Sequence, residues 1–374
     1  MKVLMQTRPG LGTSMTGDVT QTRATAAALD KLGVNVCFSD SLEPDVSRID
    51  VVHLFSTLIP NYTYLRLKYL KEKNVPVVVS TIYWEWEAEE LKRESIQGLG
   101  IINYYAEMIR SLIGNRLPYR LRYQLGKSKL PYEFQRQFYK VEKYISTRQM
   151  RKYIYENANV LLPNSHMEYS YLEGKFGIRN DYVVVPNAVD PGFAEGDAKA
   201  FYNKYGLRDF VLCVAVVQIR KNQLRLIRAM RDLDVPLVLI GHQESRYTNI
   251  CRREASSNIH LLGELRGEDL KNAYAAAKVH ALVSFYETPG LSSLEAAISD
   301  TALVVTDRGC TREYFKDQAF YCDPNSEKSI REAIQKSLIS KPNNVLKQRV
   351  LFEYNWEKAA QMTLEGYKRA MSNI

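Results

Sequence analysis

Short apolar runs alternate along the first half of the chain with stretches whose apolar positions recur every three to four residues. MKVLMQ, VNVCFSD, IDVVHLF and PVVVSTIYW read as strands, and residues 18–32 and 62–73 read as amphipathic helices. Runs of four to six apolar residues suit strands buried on both faces. The pattern therefore predicts βαβ units and a parallel sheet covered by helices on both sides. After a basic, helical stretch, NVLLPNS and DYVVVPNAVD read as two more strands.

The second half repeats the rhythm. DFVLCVAVV, VPLVLIG, NIHLLG, VHALVSF and TALVVTD read as strands, with helices over 224–231, 268–277 and 291–298. The spacing predicts an α/β protein of two Rossmann-like doubly wound domains. A length of 374 residues agrees, since single cores stop growing near about 250–300 residues. PNAVDPGF, with two prolines and a glycine, reads as a stiff linker. The predicted domains are residues 1–187 and 188–355, with a C-terminal helix in 356–374 expected to pack back on the first. Ligands of open parallel sheets bind beyond the carboxyl ends of the strands, so two such domains are expected to face a cleft.

An apolar share of 45% and a charged share of 25% are ordinary for a folded protein and argue against disorder. No run of 18 apolar residues and no hydrophobic leader pattern occurs, so the expectation is a cytoplasmic protein, neither exported nor membrane-spanning. Five scattered cysteines without C-x-x-C spacing and five histidines without ligand spacing indicate neither a disulfide framework nor a metal site.

The formal charge is +9, and much of it sits in one place. Residues 108–152 hold twelve Lys/Arg against Glu133 and Glu142, interleaved with seven tyrosines and phenylalanines. Such a segment suits an anionic membrane surface, at about 1 kcal/mol per cation near the headgroups. The alternative is a solvated helical face with its aromatics turned inward. Nucleic acid is the weakest of the three readings.

The chemistry-bearing residues fall in strand-to-helix loops. In SFYETPGLSSLEAA, Glu287 follows a strand, and Pro289-Gly290 open a helix whose first amides, from Gly290 to Ser292 through Leu291, are placed to bind phosphate. Glu295, one turn on, is placed to accept hydrogen bonds from sugar hydroxyls. In VVQIRKNQLRLIRAM, Arg220, Lys221 and Asn222 fill the loop after the first strand of the second domain. Cations at a helix start oppose its dipole, so an anionic ligand such as a diphosphate explains them better. RPGLGTSMTGD, with Gly17 at a helix start, lacks the G-x-G-x-x-G spacing and is a weaker signal. Asp232-Leu233-Asp234 resembles a cation-binding D-x-D but falls at the wrong end of the sheet. Ser165-His166 are adjacent in a way that provides no triad geometry.

These residues resemble a known family. E-T-P-G-L-S-S-L-E-A-A at 287–297 is similar to the E-x-F-G-L-x-x-L-E-A-M box of the GT-B retaining glycosyltransferases of family 4 (glycosyl transferases group 1). P-N-A-V-D at 186–190 resembles their interdomain P-N-G-V-D, and R-K-N at 220–222 sits at their phosphate-binding loop. The resemblance implies a metal-independent hexosyltransferase of class EC 2.4 that moves a sugar from a UDP- or GDP-linked donor to an acceptor hydroxyl with retention. It needs no cofactor beyond that substrate. It further implies that Glu295 holds the ribose, Glu287 meets the donor sugar, and Arg220 and Lys221 stabilise the leaving diphosphate. Tyr83-Trp84 stand where the family often has a histidine, and Gln218 stands where it has an arginine. The expected acceptor is a lipid-linked glycan or polysaccharide precursor, with the enzyme held at the membrane's inner face through residues 108–152. A sugar-nucleotide epimerase or hydrolase, or a silent carbohydrate- or membrane-binding scaffold, are the alternatives.

Overall fold

The computed structural model describes residues 1–7, 17–85, 90, 92, 93, 95, 96, 105, 137, 138, 141–243, 246–341 and 344–372. The chain falls into two compact units. One comprises Met1–Tyr83, Glu107–Asn187 and Trp356–Ile374, the other Trp84–Ala106 and Ala188–Asn355.

In the first unit the elements are β1 (Lys2–Gln6), α1 (Gly17–Lys31), β2 (Asn35–Phe38), β3 (Val51–Phe55), α2 (Pro60–Glu72), β4 (Val77–Ser80), α3 (Thr147–Asn157), β5 (Val160–Leu162) and α4 (His166–Phe176). Five parallel strands run in the order β2-β1-β3-β4-β5. Every residue of β3, β4 and β5 is buried, as central parallel strands require.

DYVVV does not form a strand of its own and makes a single bridge, Tyr182 to Leu161. Asp181 O accepts from Leu161 N, and Val183 N donates to Leu161 O. Val185 N reaches Pro163 O at 2.8 Å, but proline has no N–H to return the bond. The ladder stops at Pro163.

The second unit continues with α5 (Ala198–Tyr205), β6 (Phe210–Val214), α6 (Gln223–Met230), β7 (Leu237–Ile240), α7 (Arg246–Glu254), β8 (Ile259–Gly263), α8 (Gly267–Ala276) and β9 (Ala277–Leu282). It closes with α9 (Leu291–Ile298), β10 (Ala302–Thr306), α10 (Thr311–Phe315), β11 (Phe320–Cys322), α11 (Glu327–Leu338) and α12 (Asn344–Glu353). Its six strands are parallel in the order β11-β10-β9-β6-β7-β8. Alternation along each strand divides the core between the two faces. Val211, Cys213, Leu237 and Leu239 pack on one side, and Phe210, Leu212, Val238 and Ile240 on the other. Trp84 packs on the second cluster, and Glu90 accepts from Arg308 at 2.6 Å.

The last helix, α13 (Trp356–Ser372), belongs to the first unit and packs on α1, β3, β4 and β5. Gly366 lets it approach, because a Cβ there would lie 2.6 Å from Leu162 Cδ2. Tyr367 Oη lies 2.8 Å from His53 Nδ1, and His53 Nε2 lies 2.8 Å from Ser80 Oγ. Burial pushes His53 down to about 3, so it stays neutral. No helix among the described residues is long and apolar enough to cross a membrane.

Candidate functional site

In the second sheet β6 leads to β7 and β8 in one direction, while β9 leads to β10 and β11 in the other. The reversal falls between neighbouring β6 and β9, where the loops leaving their carboxyl ends diverge and open a crevice. The topology therefore brings together two loops that are far apart in sequence.

After β6 the chain makes one 3-10 turn, Ile219–Lys221, ended by Asn222 in the left-handed region at φ 60°. Asparagine tolerates that conformation better than most residues. Its Nδ2 donates to Val283 O at 3.0 Å and Pro324 O at 2.8 Å. Arg220 O accepts from Phe285 N at 2.9 Å. The cationic turn is thereby tied to the ends of β9 and β11.

Lys221 Nζ donates to Glu287 Oε1, and Arg220 Nη1 lies 3.5 Å from the same oxygen. The Arg220 guanidinium also lies over the Tyr286 ring at 5.0 Å and donates to Tyr286 O at 3.2 Å. Burial pushes the Glu287 carboxyl up, but Lys221 and Arg220 outweigh it and hold the group below its usual range. Burial first, and Arg220 second, push the Lys221 ammonium down. Two cations against one carboxylate leave one excess positive charge at these loop ends. Arg220 is its most open member, at 29% side-chain exposure against 13% for Lys221. An anion entering from solvent would meet that guanidinium first.

Two glycines fix the backbone around Glu287. Glu287 bridges Gly309, and Cys310 N donates to Glu287 O at 2.8 Å. A Cβ on Gly309 would sit 2.1 Å from Glu287 O. Gly290, at φ 95°, precedes α9, and a Cβ there would meet Leu282 Cδ2 at 2.6 Å. The amides of Leu291 and Ser292 open α9, where no helical carbonyl precedes them, and the helix's positive end adds to the field. Glu295 lies one turn further on, with Oε2 accepting from Tyr274 Oη at 2.6 Å.

Arg220, Lys221, Glu287, Gly290, Leu291 and Ser292 thus gather at the β6/β9 switch point, with Glu295 on the same helix. Asn222 was expected to touch ligand; its Nδ2 ties the loop to Val283 O and Pro324 O, and the residue is buried at 2%. Its place is beneath the site. Gly17 is in the other unit, exposed at the start of α1, and Gly10 and Gly12 lie outside the described residues. Ser165 caps α4, and Asp232 lies 3.8 Å from Arg331. Among the described residues no three His, Cys, Asp or Glu gather as metal ligands would.

Of the basic stretch 108–152, Lys143, Arg148, Arg151 and Lys152 are described, and the rest of its cations lie outside the described residues. Arg148 and Lys152 donate to Lys175 O and Phe176 O, at 2.8 and 3.0 Å, capping the end of α4. Arg151 donates to Thr57 O and Leu58 O and lies over the Tyr83 ring at 4.7 Å. These three cations hold backbone in place. Leu58, Ile59 and Tyr144 are exposed apolar residues of the same unit, Tyr144 at 75%.

The carboxyl edge of the first sheet carries a cluster that sequence reasoning missed. Buried Glu168 accepts from Thr81 Oγ1 at 2.5 Å, Tyr83 N at 2.8 Å and Asn164 N at 2.8 Å. It therefore grips both sides of Ile82, a β-branched residue at φ 43°, a conformation that costs such a side chain on the order of 1–3 kcal/mol. The signal was present as S-x-x-E at 165–168, a helix-start pattern. Tyr83 itself is core, packed near Tyr155, Tyr171 and Phe176.

Two Rossmann-like α/β units of this kind define the GT-B fold. Sucrose-phosphate synthase from Thermosynechococcus elongatus shares it with a TM-score of 0.72 at 14% identity, over 99% of both chains. Anabaena HepE, solved in complex with UDP and glucose, shares it with a TM-score of 0.67 at 13% identity, over 98% of both chains. Residues 196–358 match the family model described as Glycosyl transferases group 1. The O-antigen chain mannosyltransferase B of Escherichia coli is 28% identical over 181 residues, 44% of this chain and 48% of that protein. The chain spans about half the length of the curated relatives it matches.

Proposed function

We propose that the protein is a glycosyltransferase that moves a sugar from a nucleotide diphosphate donor to an acceptor hydroxyl, with retention at the anomeric carbon. The observation that carries this reading is the Arg220–Lys221–Glu287 cluster beside the α9 amino end, an excess-cation crevice at a strand switch point. The family-model match across 196–358 contains all three residues and supports it. Arg220 and Lys221 take the diphosphate, and the amides of Leu291 and Ser292 share its charge. Preorganised donors of this kind stabilise a leaving group by a few kcal/mol each, at about 2.7–4 kcal/mol for a comparable oxyanion donor. Glu287, held ionised by its two cations, faces the donor sugar, and Glu295 holds the ribose. The transfer is proposed to need neither metal nor cofactor. The proposed acceptor is a lipid-linked glycan or polysaccharide precursor, reached at the inner face of a membrane through residues 108–152.

The experiment is calorimetric titration with UDP, GDP and their sugars, followed by product analysis with and without a lipid-linked glycan acceptor. Saturable binding of one base and product formed only with acceptor are expected. Turnover of donor alone would instead indicate an epimerase or hydrolase, and no binding of any nucleotide would remove the reading.

A further inference from the structure

Tyr274 stands under the second acid of the site. It is fully buried on α8, its ring edge-on to Phe193 at 5.7 Å and 6.0 Å from His280. Its hydroxyl donates to Glu295 Oε2 at 2.6 Å, across from one helix to the next. Burial and the Glu295 charge push the phenol well above its ordinary value, so its proton stays on oxygen. The bond therefore has a fixed direction. Tyr274 always donates, and Glu295 always presents Oε2 to it. That bond engages one of the two carboxylate oxygens, Oε2.

We infer that Tyr274 is the positioning residue of the ribose subsite, holding Oε2 of Glu295 so that loading of a nucleoside diphosphate depends on pH through that carboxylate. The inference rests on the assignment of Glu295 to a ribose and adds the group that orients and charges it. Burial raises the Glu295 carboxyl to about 7, the Tyr274 hydrogen bond opposes that rise, and the charge of Asp190 adds to it. Few other ionisable groups stand on the elements around Glu295. His280 on β9 is pushed down by burial to about 3 and stays neutral. Cys213 on β6 is pushed up by burial to about 12. Lys347 of α12, which packs on α9, pairs with Asp300 at 2.6 Å. Lys271 of α8 pairs with Glu268 at 2.9 Å and feels the charges of Glu195 and Asp190, and β10 contributes no ionisable residue.

A carboxylate accepts hydrogen bonds from two ribose hydroxyls, whereas a protonated acid must turn one oxygen into a donor. Affinity for a ribonucleotide should therefore fall as pH drops through about 7, by roughly tenfold per lost charge-assisted bond of about 1.4 kcal/mol. The test is titration of the full chain with UDP and GDP, and with their 2′,3′-dideoxy forms, from pH 5.5 to 9. In wild type the ratio of ribo to dideoxy affinity should rise with a midpoint near 7, a ratio that cancels the terminal phosphate's own titration at about pH 6, common to both forms. Tyr274→Phe should move the midpoint up by about one pH unit, with affinity lost at pH 7 and regained at pH 9. Site-specific 3-fluorotyrosine at position 274, a stronger donor of almost the same shape, should move it down. It keeps the test available should the phenylalanine variant fail to fold. Unmoved midpoints in the variants, with ribose preference intact, would overturn the role of Tyr274 alone. Equal affinity for ribo and dideoxy forms at every pH would remove the ribose assignment itself.

Discussion

Lys221→Ala is expected to weaken nucleoside diphosphate binding by about 10- to 100-fold and to lower turnover by at least a further factor of about 100. The first figure follows from a charge-assisted hydrogen bond of about 1.5–3 kcal/mol, the second from one donor withdrawn from a developing oxyanion. Lys221 Nζ holds Glu287 Oε1 with one of its three protons, which leaves others for phosphate oxygens. Its removal also strips Glu287 of its nearest counter-charge, with Arg220 remaining at 3.5 Å, and breaking a buried pair costs about 3–5 kcal/mol. Stability and ligand affinity would then fall together. The double variant Lys221→Ala with Glu287→Gln separates them, because the amide no longer needs a cation. Thermal stability should recover in the double variant while calorimetry still finds weak nucleotide binding. Recovery of both would confine Lys221 to the ion pair.

Glu168→Ala should be the most destabilising single change at the first unit's carboxyl edge. Three donors, Thr81 Oγ1, Tyr83 N and Asn164 N, lose their acceptor inside the protein. At about 1–3 kcal/mol for each unsatisfied buried group, the loss is a large share of the roughly 5–15 kcal/mol that holds a native protein together. Ile82 would also leave its positive φ once the grip on either side is gone. The measurement is thermal unfolding with amide exchange at Tyr83 and Asn164. A melting temperature reduced by several degrees and fast exchange at both amides are expected, with Glu168→Gln intermediate because its amide keeps one acceptor. Exchange as slow as in wild type would show that the turn holds itself.

The alternation of apolar runs sufficed to place ten of the parallel strands, because a strand buried on both faces leaves little choice of residue. DYVVV misled for the same reason in reverse. Its composition is that of a core strand, but the missing N–H belongs to Pro163 on its partner, and no local pattern within 181–185 shows that. That Arg220, Lys221 and Glu287 lie in loops following strands was legible, because charges stand out there; that they meet one another depends on the strand order. For Asn222 the charged neighbours in sequence pointed to ligand, and its own contacts are less visible there. Its amide faces inward to two carbonyls that belong to other loops, Val283 O and Pro324 O. Tyr274 lies in A-Y-A-A-A, which reads as ordinary core, and its hydroxyl gains meaning only when the fold brings it to Glu295 on α9. The basic stretch shows the limit of charge counting, since Arg148, Arg151 and Lys152 engage carbonyls that charge alone does not reveal.

The most direct test of the donor crevice is a crystal structure of the chain with UDP and with GDP. The diphosphate should lie within hydrogen-bonding reach of Arg220, Lys221 and the Leu291 and Ser292 amides, with the ribose at Glu295. A nucleotide seated elsewhere while that crevice stays solvent-filled would contradict the account.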